Sequence, residues 1–309
     1  MKELQTYDAI IFGGGPAGIS CALEFHECKV NYILVDRNPR LGGQLSEVQN
    51  SIRNFAARFW ESGLALRDDM EALCHKIGIV PQLSETISKV DLSNKMLYGS
   101  KHTYKGKAIF LATGRRPRML SIQGADLVKE SIILYVEENE KRLAGKSIAV
   151  VGGGDNALMD CLWLAQRCPS VLLINHSDHF KARPDVVANV LKNPRVKVMN
   201  HTEIISVAGE HGKLHNIITK NNLSEEIITH QADYLVIKAG FAANSELFSS
   251  QLKMDNTGLV IIDQSCKTSV QGIFAGGDLV APDCLGIARS VGHGLVAARA
   301  ISQYLIHPG

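Results

Sequence analysis

Glycines at fixed spacing carry the first chemical signal in this chain. Tyr7-Asp-Ala-Ile-Ile-Phe12 is a short apolar run, Gly13-Gly14-Gly15-Pro16-Ala17-Gly18 follows it, and Ile19, Ala22 and Leu23 then recur at helical spacing. About 140 residues later the same order returns as Ser147-Ile-Ala-Val-Val151, Gly152-Gly153-Gly154-Asp155-Asn156-Ala157, and then Leu158, Cys161 and Leu162. Strand, glycine turn and helix in that order bring a helix N-terminus, with its unpaired N–H groups, to face a phosphate. The first glycine permits the tight turn, the second lets the backbone approach a pyrophosphate, and the third, or an alanine, allows the helix to pack closely on the strand. Pro16 suits a first helical turn, where its missing N–H costs nothing. A single copy is a weak signal, because any tight strand-to-helix turn favours glycine. Two copies in the same context point to two dinucleotide sites.

The next strand end separates the copies. Asn31-Tyr-Ile-Leu-Val35 ends in Asp36, 23 residues after Gly13, where an acid is placed to accept hydrogen bonds from a ribose diol. After the second copy, Val171-Leu-Leu-Ile174 ends in Asn175-His176-Ser177, with neither an acid nor an arginine fork. Near the C-terminus, Gly272-Ile-Phe-Ala-Gly-Gly277-Asp278 reads as a strand entering a glycine turn, followed by a helical segment from about Gly286 to Leu305. A helix N-terminus aimed at a cofactor offers partial positive charge, which suits an anionic reduced flavin. Asp278 reads equally as a helix-capping residue.

The elements that position these turns need a chain of sufficient size, and 309 residues suffice for two domains with cores of their own. With 45% hydrophobic and 21% charged residues and a net charge of +2, the composition excludes a disordered chain and a basic nucleic-acid binder. The longest uncharged stretch, Ala9 to Leu23, is 15 residues with four glycines and a proline, too short and too broken for a membrane span. No signal peptide is read at the N-terminus, and a cytoplasmic protein is expected. No metal-ligand cluster is read.

Seven cysteines stand at 21, 28, 74, 161, 168, 266 and 284, with no Cys-x-x-Cys among them. Cys21 and Cys28, like Cys161 and Cys168, are seven apart in helix-like sequence. A helix separates such residues by about 10.5 Å, beyond disulfide reach. Free thiols in a reducing compartment are expected.

In order and spacing, the segments Gly13 to Gly18, Asp36, Leu41-Gly-Gly43-Gln44-Leu45, Asn54-Phe55, Ile109-Phe-Leu-Ala112-Thr113-Gly114, Val151 to Asp155 and Gly272 to Asp278 resemble the thioredoxin-reductase-like branch of two-dinucleotide flavoproteins over nearly the whole chain. The resemblance implies an α/β fold of two Rossmann-like, three-layer ββα domains. A discontinuous FAD domain would be formed by residues 1–117 and 245–309, and an NAD(P)-binding-like domain, 118–244, inserted in it. It implies that FAD is held by Gly13, Gly15, Pro16, Ala17, Gly18, Asp36, Arg37, Gly43, Gln44, Leu45, Asn54, Ile87, Ala112, Thr113, Gly114, Gly277, Asp278, Ile287 and Ala288. For the second nucleotide it implies Gly152, Gly153, Gly154, Asp155, Asn156, Ala157, Asn175 and His176. Members of the branch are commonly homodimers.

Departures from the pattern shape the functional expectation. Where thioredoxin reductases of this branch carry a Cys-x-x-Cys, this chain reads Ser131-Ile-Ile-Leu-Tyr-Val-Glu-Glu-Asn-Glu140, and a dithiol relay needs two sulfurs at exchange distance. In this respect the chain is similar to the thioredoxin-reductase-like ferredoxin (flavodoxin) NADP reductases. The family's arginines for a 2′-phosphate fall on His176, Ser177 and Lys181, so planar bidentate contacts are absent and NADPH, NADH or a different dinucleotide stay open. Cys284 falls beside the expected flavin and is the single candidate redox thiol. His293, between two glycines, reads as packing or dimer surface. The expected function is an FAD-dependent oxidoreductase passing electrons from a reduced pyridine nucleotide to a small acceptor or redox protein. Two alternatives are a flavoprotein reduced by ferredoxin or flavodoxin, or holding a second flavin, and a non-catalytic FAD-binding sensor. The cluster Arg115, Arg116 and Arg118 reads as a solvated linker, with docking of an acidic partner as the other reading.

Overall fold

The computed structural model describes residues 3–48, 51–280 and 286–307. The chain divides into two compact units, Met1–Arg116 with Ala242–Gly309, and Pro117–Phe241. Short strands at the two crossings, Arg115–Pro117 and Phe241–Ala243, pair as a two-stranded ribbon.

In the first unit a four-stranded parallel sheet runs Ile273–Ala275, Ala108–Leu111, Ala9–Phe12, Tyr32–Val35. These strands are nearly continuous apolar runs because both faces are covered. Ala9, Ile11, Ala108 and Phe110 face one way, into a core shared with helices Pro16–Glu27 and Ile287–Ile306. Ile10, Ile109 and Leu111 face the other way, toward the sheet Leu4–Thr6, Thr103–Lys105, Met96–Gly99, Ile87–Asp91. The alternation is the period of two that a strand imposes, and the result is a ββα sandwich. The two helices approach closely because Gly294 lacks a side chain, for which the Ala17 carbonyl leaves no room.

The second unit repeats the plan. Its parallel sheet runs Val196–Met199, Ser170–Ile174, Ser147–Val151, Tyr234–Ile237, Ile132–Ile133. Helices Asp155–Ala165 and Pro184–Lys192 cover one face around Leu158, Cys161, Leu164 and Val190. The other face, with Ala149, Ile174 and Leu235, packs on Val207, Leu214 and Ile217 of an antiparallel sheet, Thr202–Glu210, Lys213–Asn221, Ile227–Gln231. Within each unit the glycine turn sits at the C-terminal end of a central parallel strand, where open α/β sheets bind ligands.

Candidate functional site

The first glycine turn is shaped by what surrounds it. Gly13 has φ +118°, and a side chain there would overlap the Ala112 carbonyl. A side chain at Gly18 would overlap the Gly13 carbonyl oxygen, so helix and strand meet with no space for a methyl group. Over Gly15, by contrast, a Cβ would meet nothing within 4 Å. The backbone of the middle position is therefore open to a ligand, as close approach by a pyrophosphate requires. Pro16 opens the helix, with Ala17 buried behind it.

Three further segments converge on this turn. Gly43, at φ +53°, stands where a Cβ would lie 3.1 Å from the Gly15 Cα. The Gln44 side-chain amide faces Gly114, 3.4 Å from where a Cβ would be. The turn Ala112-Thr113-Gly114 is clamped by Asn244: Thr113 Oγ1 donates to the Asn244 carbonyl at 2.7 Å, Asn244 Nδ2 donates to the Thr113 carbonyl at 2.8 Å, and the Asn244 N–H donates to the Gly114 carbonyl at 2.9 Å. Upstream of Gly42, Glu71 accepts from the Leu41 N–H at 3.1 Å and pairs with Arg40. Burial acts to raise the Glu71 carboxyl, but the bonds from Arg40 and Leu41 outweigh it and hold the group below its ordinary value.

Asp36 is buried, and both of its oxygens accept backbone hydrogen bonds, Oδ2 from Gly14 at 2.6 Å and Oδ1 from Asn38 at 2.7 Å. Burial raises its pKa against the pull of these amides. Each oxygen keeps a lone pair for a ribose hydroxyl. Arg37 is exposed beside it. Ile87 is buried in the core next to Val35, so its side chain belongs to packing and leaves only its backbone for a ligand.

At the other end of the unit, Leu45, Ile52, Trp60 and Leu66 form a small core against which Phe55 and Ile287 pack; Asn54 and Ala288 are exposed. Gly277 and Asp278 begin a short 3₁₀ turn, and Ser290 Oγ donates to Asp278 Oδ1 at 3.4 Å. Burial raises the Asp278 carboxyl, opposed by Arg115. Arg115 Nε donates to the Asp278 carbonyl at 2.7 Å, and Arg116 pairs with Glu246. Of the three arginines read as a solvated linker, Arg115 and Arg116 thus engage their charges locally. His293, expected as packing or surface, accepts a hydrogen bond from the Gly277 N–H. Cys284 lies outside the described residues, and the six cysteines within them are free.

The second unit holds the other turn in the same form. Gly152, at φ +143°, lies under the Lys238 carbonyl, and over Gly154 a Cβ would again meet nothing within 4 Å. Ala157 stands in the place of the third glycine, its Cβ 3.1 Å from where one at Gly152 would lie. Asn175 occupies the place over Gly153 that Asp36 occupies over Gly14. Its Nδ2 is spent on the Ser177 carbonyl, the His179 carbonyl and Asn200 Oδ1, at 3.0, 3.2 and 3.2 Å. His176 and Asn156 are exposed, and Asp155 accepts from the Arg183 N–H at 2.9 Å. Asp160, which is buried, and the partly buried Lys238 form an ion pair at 2.9 Å.

Sequence reasoning missed Asn244, Lys238 and the role of His293, whose partners lie on distant segments. The model of one family, pyridine nucleotide-disulphide oxidoreductase, matches residues 7–300, a span that holds both glycine turns. The chain belongs to the pyridine nucleotide-disulphide oxidoreductase family. This family member is 28% identical over 308 residues to a 34.2 kDa protein in the rubredoxin operon of Clostridium pasteurianum, covering 99% of each chain. It is 26% identical over 290 residues to the ferredoxin–NADP reductase of Picrophilus torridus, covering 90% of this chain and 87% of that one. In fold it is similar to Lactococcus lactis thioredoxin reductase in the FR conformation, with a TM-score of 0.86 at 24% identity over 97% of this chain and 99% of that one. The oxidoreductase is thioredoxin-reductase-like, an FAD-dependent enzyme of a family that uses FAD and a pyridine nucleotide. No helix among the described residues is long and apolar enough to cross a membrane.

Proposed function

We propose that this oxidoreductase passes electrons from a reduced pyridine nucleotide, through FAD, to a small acceptor or redox protein without a cysteine relay. The observation that carries the reading is the pair of glycine turns, each with open space over its middle glycine, in a chain without a Cys-x-x-Cys. The discontinuous unit would hold FAD. Gly13, Gly15, Pro16, Ala17 and Gly18 would lie along the pyrophosphate, and Asp36 and Arg37 at the ribose. Gly43, Gln44, Leu45, Asn54, Ala112, Thr113, Gly114, Gly277, Asp278, Ile287 and Ala288 would lie toward the flavin. Gly152 to Ala157 with Asn175 and His176 would hold the second nucleotide. When bound, FAD supplies the electron-carrying chemistry, while the chain binds, orients and shields it.

The buried thiols Cys21, Cys74, Cys161 and Cys266 are poor relays. Burial pushes Cys74 and Cys266 up to about 11, and Cys21 and Cys161 well above the ordinary thiol value. A thiol without thiolate character does not exchange at useful rates. The names of two relatives, a ferredoxin–NADP reductase and a protein in a rubredoxin operon, support a small iron protein as the acceptor. Free cysteines support a reducing, cytoplasmic setting, and homodimers are the habit of the branch.

Anaerobic stopped-flow mixing with NADH and with NADPH tests the reading: bleaching of the flavin by either is expected, and bleaching by neither defeats it. A second reading, in which the second turn holds another flavin, draws on Asn175, a neutral side chain with its donors already spent. Release of two FAD per chain on denaturation would favour it over the first.

A further inference from the structure

The imidazole of His293 is tied to the Gly277–Asp278 turn by the Gly277 N–H, which donates to Nδ1 at 3.1 Å. A ring nitrogen that accepts carries no proton, so this ring is neutral with its hydrogen on Nε2. Burial, followed by the neighbouring Arg289 charge, holds His293 below its ordinary value, in agreement with that geometry.

The turn has little slack around this bond. A side chain at Gly276 would meet the Phe110 ring at 2.8 Å and His293 Cβ at 2.9 Å, and one at Gly277, where φ is +69°, would meet Ala17 Cβ at 3.1 Å. The residue after His293, Gly294, lies directly against the Ala17 carbonyl in the first turn of the glycine-motif helix. His293 therefore stands where the phosphate-facing helix and the Asp278 turn are both packed. The titratable and charged groups around it are Arg289 one helical turn back, Asp278 on the tethered turn with Arg115 beside it, and Cys266, whose thiol donates to the His293 carbonyl at 3.7 Å. Cys266, pushed up to about 11, stays protonated near neutrality.

We propose that His293 is a positioning residue for the flavin end of the site: unprotonated Nδ1 anchors the Gly277–Asp278 turn, and a proton taken from water onto Nδ1 sets one donor against another, releasing the turn and loosening FAD. The inference rests on the reading that this unit holds FAD. The Gly277 N–H then loses its acceptor, and losing one such hydrogen bond corresponds to about a tenfold change in retention.

The test follows FAD release from the purified holoenzyme, by recovery of flavin fluorescence, between about pH 8 and about pH 5.5, across the range where imidazoles titrate. Wild type is expected to release FAD faster at the acid end, by up to about tenfold as the ring becomes protonated. His293→Asn, whose amide oxygen accepts where Nδ1 did but does not titrate, is expected to release slowly and without that pH dependence. His293→Leu is expected to release fast at both ends, and where it does not fold, the comparison of wild type with His293→Asn decides alone. The same pH dependence in wild type and His293→Asn overturns the proposal while leaving the FAD reading standing. A holoenzyme that carries no FAD at about pH 8 overturns both.

Discussion

Asp36 accepts a 2.6 Å hydrogen bond from the backbone N–H of Gly14, so the acid expected to read a ribose also braces the glycine turn. Its second oxygen is engaged by Asn38. Asn at position 36 has one acceptor oxygen for two donors. Asp36→Asn is expected to cost about 1–3 kcal/mol in the folded protein, the range for an unsatisfied buried group, and to weaken FAD retention. Thermal denaturation of the apoprotein and equilibrium FAD binding, measured on the same variant, separate the two effects.

The third positions of the glycine motifs differ in what they tolerate. Gly18→Ala drives a methyl group into the Gly13 carbonyl and is expected to abolish recovery of FAD-loaded protein. Ala157→Gly creates no clash and is expected to cost about 1 kcal/mol, the usual helix penalty. Yield of folded protein and the ratio of flavin to protein absorbance distinguish these outcomes.

Glu85 is wholly buried and accepts from Lys101 N at 2.7 Å, Ser100 Oγ at 2.9 Å and Tyr104 Oη at 3.0 Å. Burial opposes its ionisation, but these bonds and His102 outweigh burial and hold the carboxyl below its ordinary 4.5. A carboxyl lowered on folding stabilises above its unfolded pKa, and that contribution is lost as pH falls through the folded one. Glu85→Gln is therefore expected to lower stability near neutrality by about 1–3 kcal/mol, with the gap to wild type closing below about pH 4. Urea melts across that range measure the gap.

At the second turn, His176 is exposed beside Asn175. His176→Arg adds a planar guanidinium suited to a phosphate. The KM for NADPH is expected to fall about tenfold with that for NADH unchanged, a gain typical of one charge-assisted contact. Equal changes for both nucleotides would count against a 2′-phosphate pocket here.

Among the described cysteines only Cys28 is exposed, at the end of the first helix. In a Cys284→Ser background, one thiol is expected to react rapidly with a disulfide reagent in the native protein, and none after Cys28→Ser is added. Electron transfer is expected to survive both substitutions; its loss with Cys284→Ser would restore a thiol mechanism.

The glycine turns were legible because strand, glycine turn and helix form one contiguous pattern that occurs twice. Gly13, Gly18 and Gly152 are excluded from bearing side chains by carbonyls within the same strand-turn-helix unit or on the adjoining strand. Strands such as Ser147–Val151 were legible for the same reason, as uninterrupted apolar runs bounded by glycine. Asn244 was not, because its partners Thr113 and Gly114 lie about 130 residues away and nothing near it in sequence signals the clamp. His293, flanked by glycines, reads as packing or dimer surface, and only the tertiary contact with Gly277 reveals its acceptor role. Ile87 shows the opposite case: its side chain serves the core, and only its backbone is left for the cofactor that the resemblance assigns to it.

The Asn244 clamp has a consequence for biosynthesis. The first 116 residues emerge with the phosphate-facing glycines but without Asn244, the strand Ile273–Ala275 or the helix Ile287–Ile306, all of which belong to the same unit. The ribosome must first make the whole of Pro117–Phe241, so the loop to be closed is an entire folded unit. On the reading that this unit holds FAD, loading would wait until Asn244 and the helix Ile287–Ile306 have been made, and a nascent chain stalled within the inserted unit would present half a cradle.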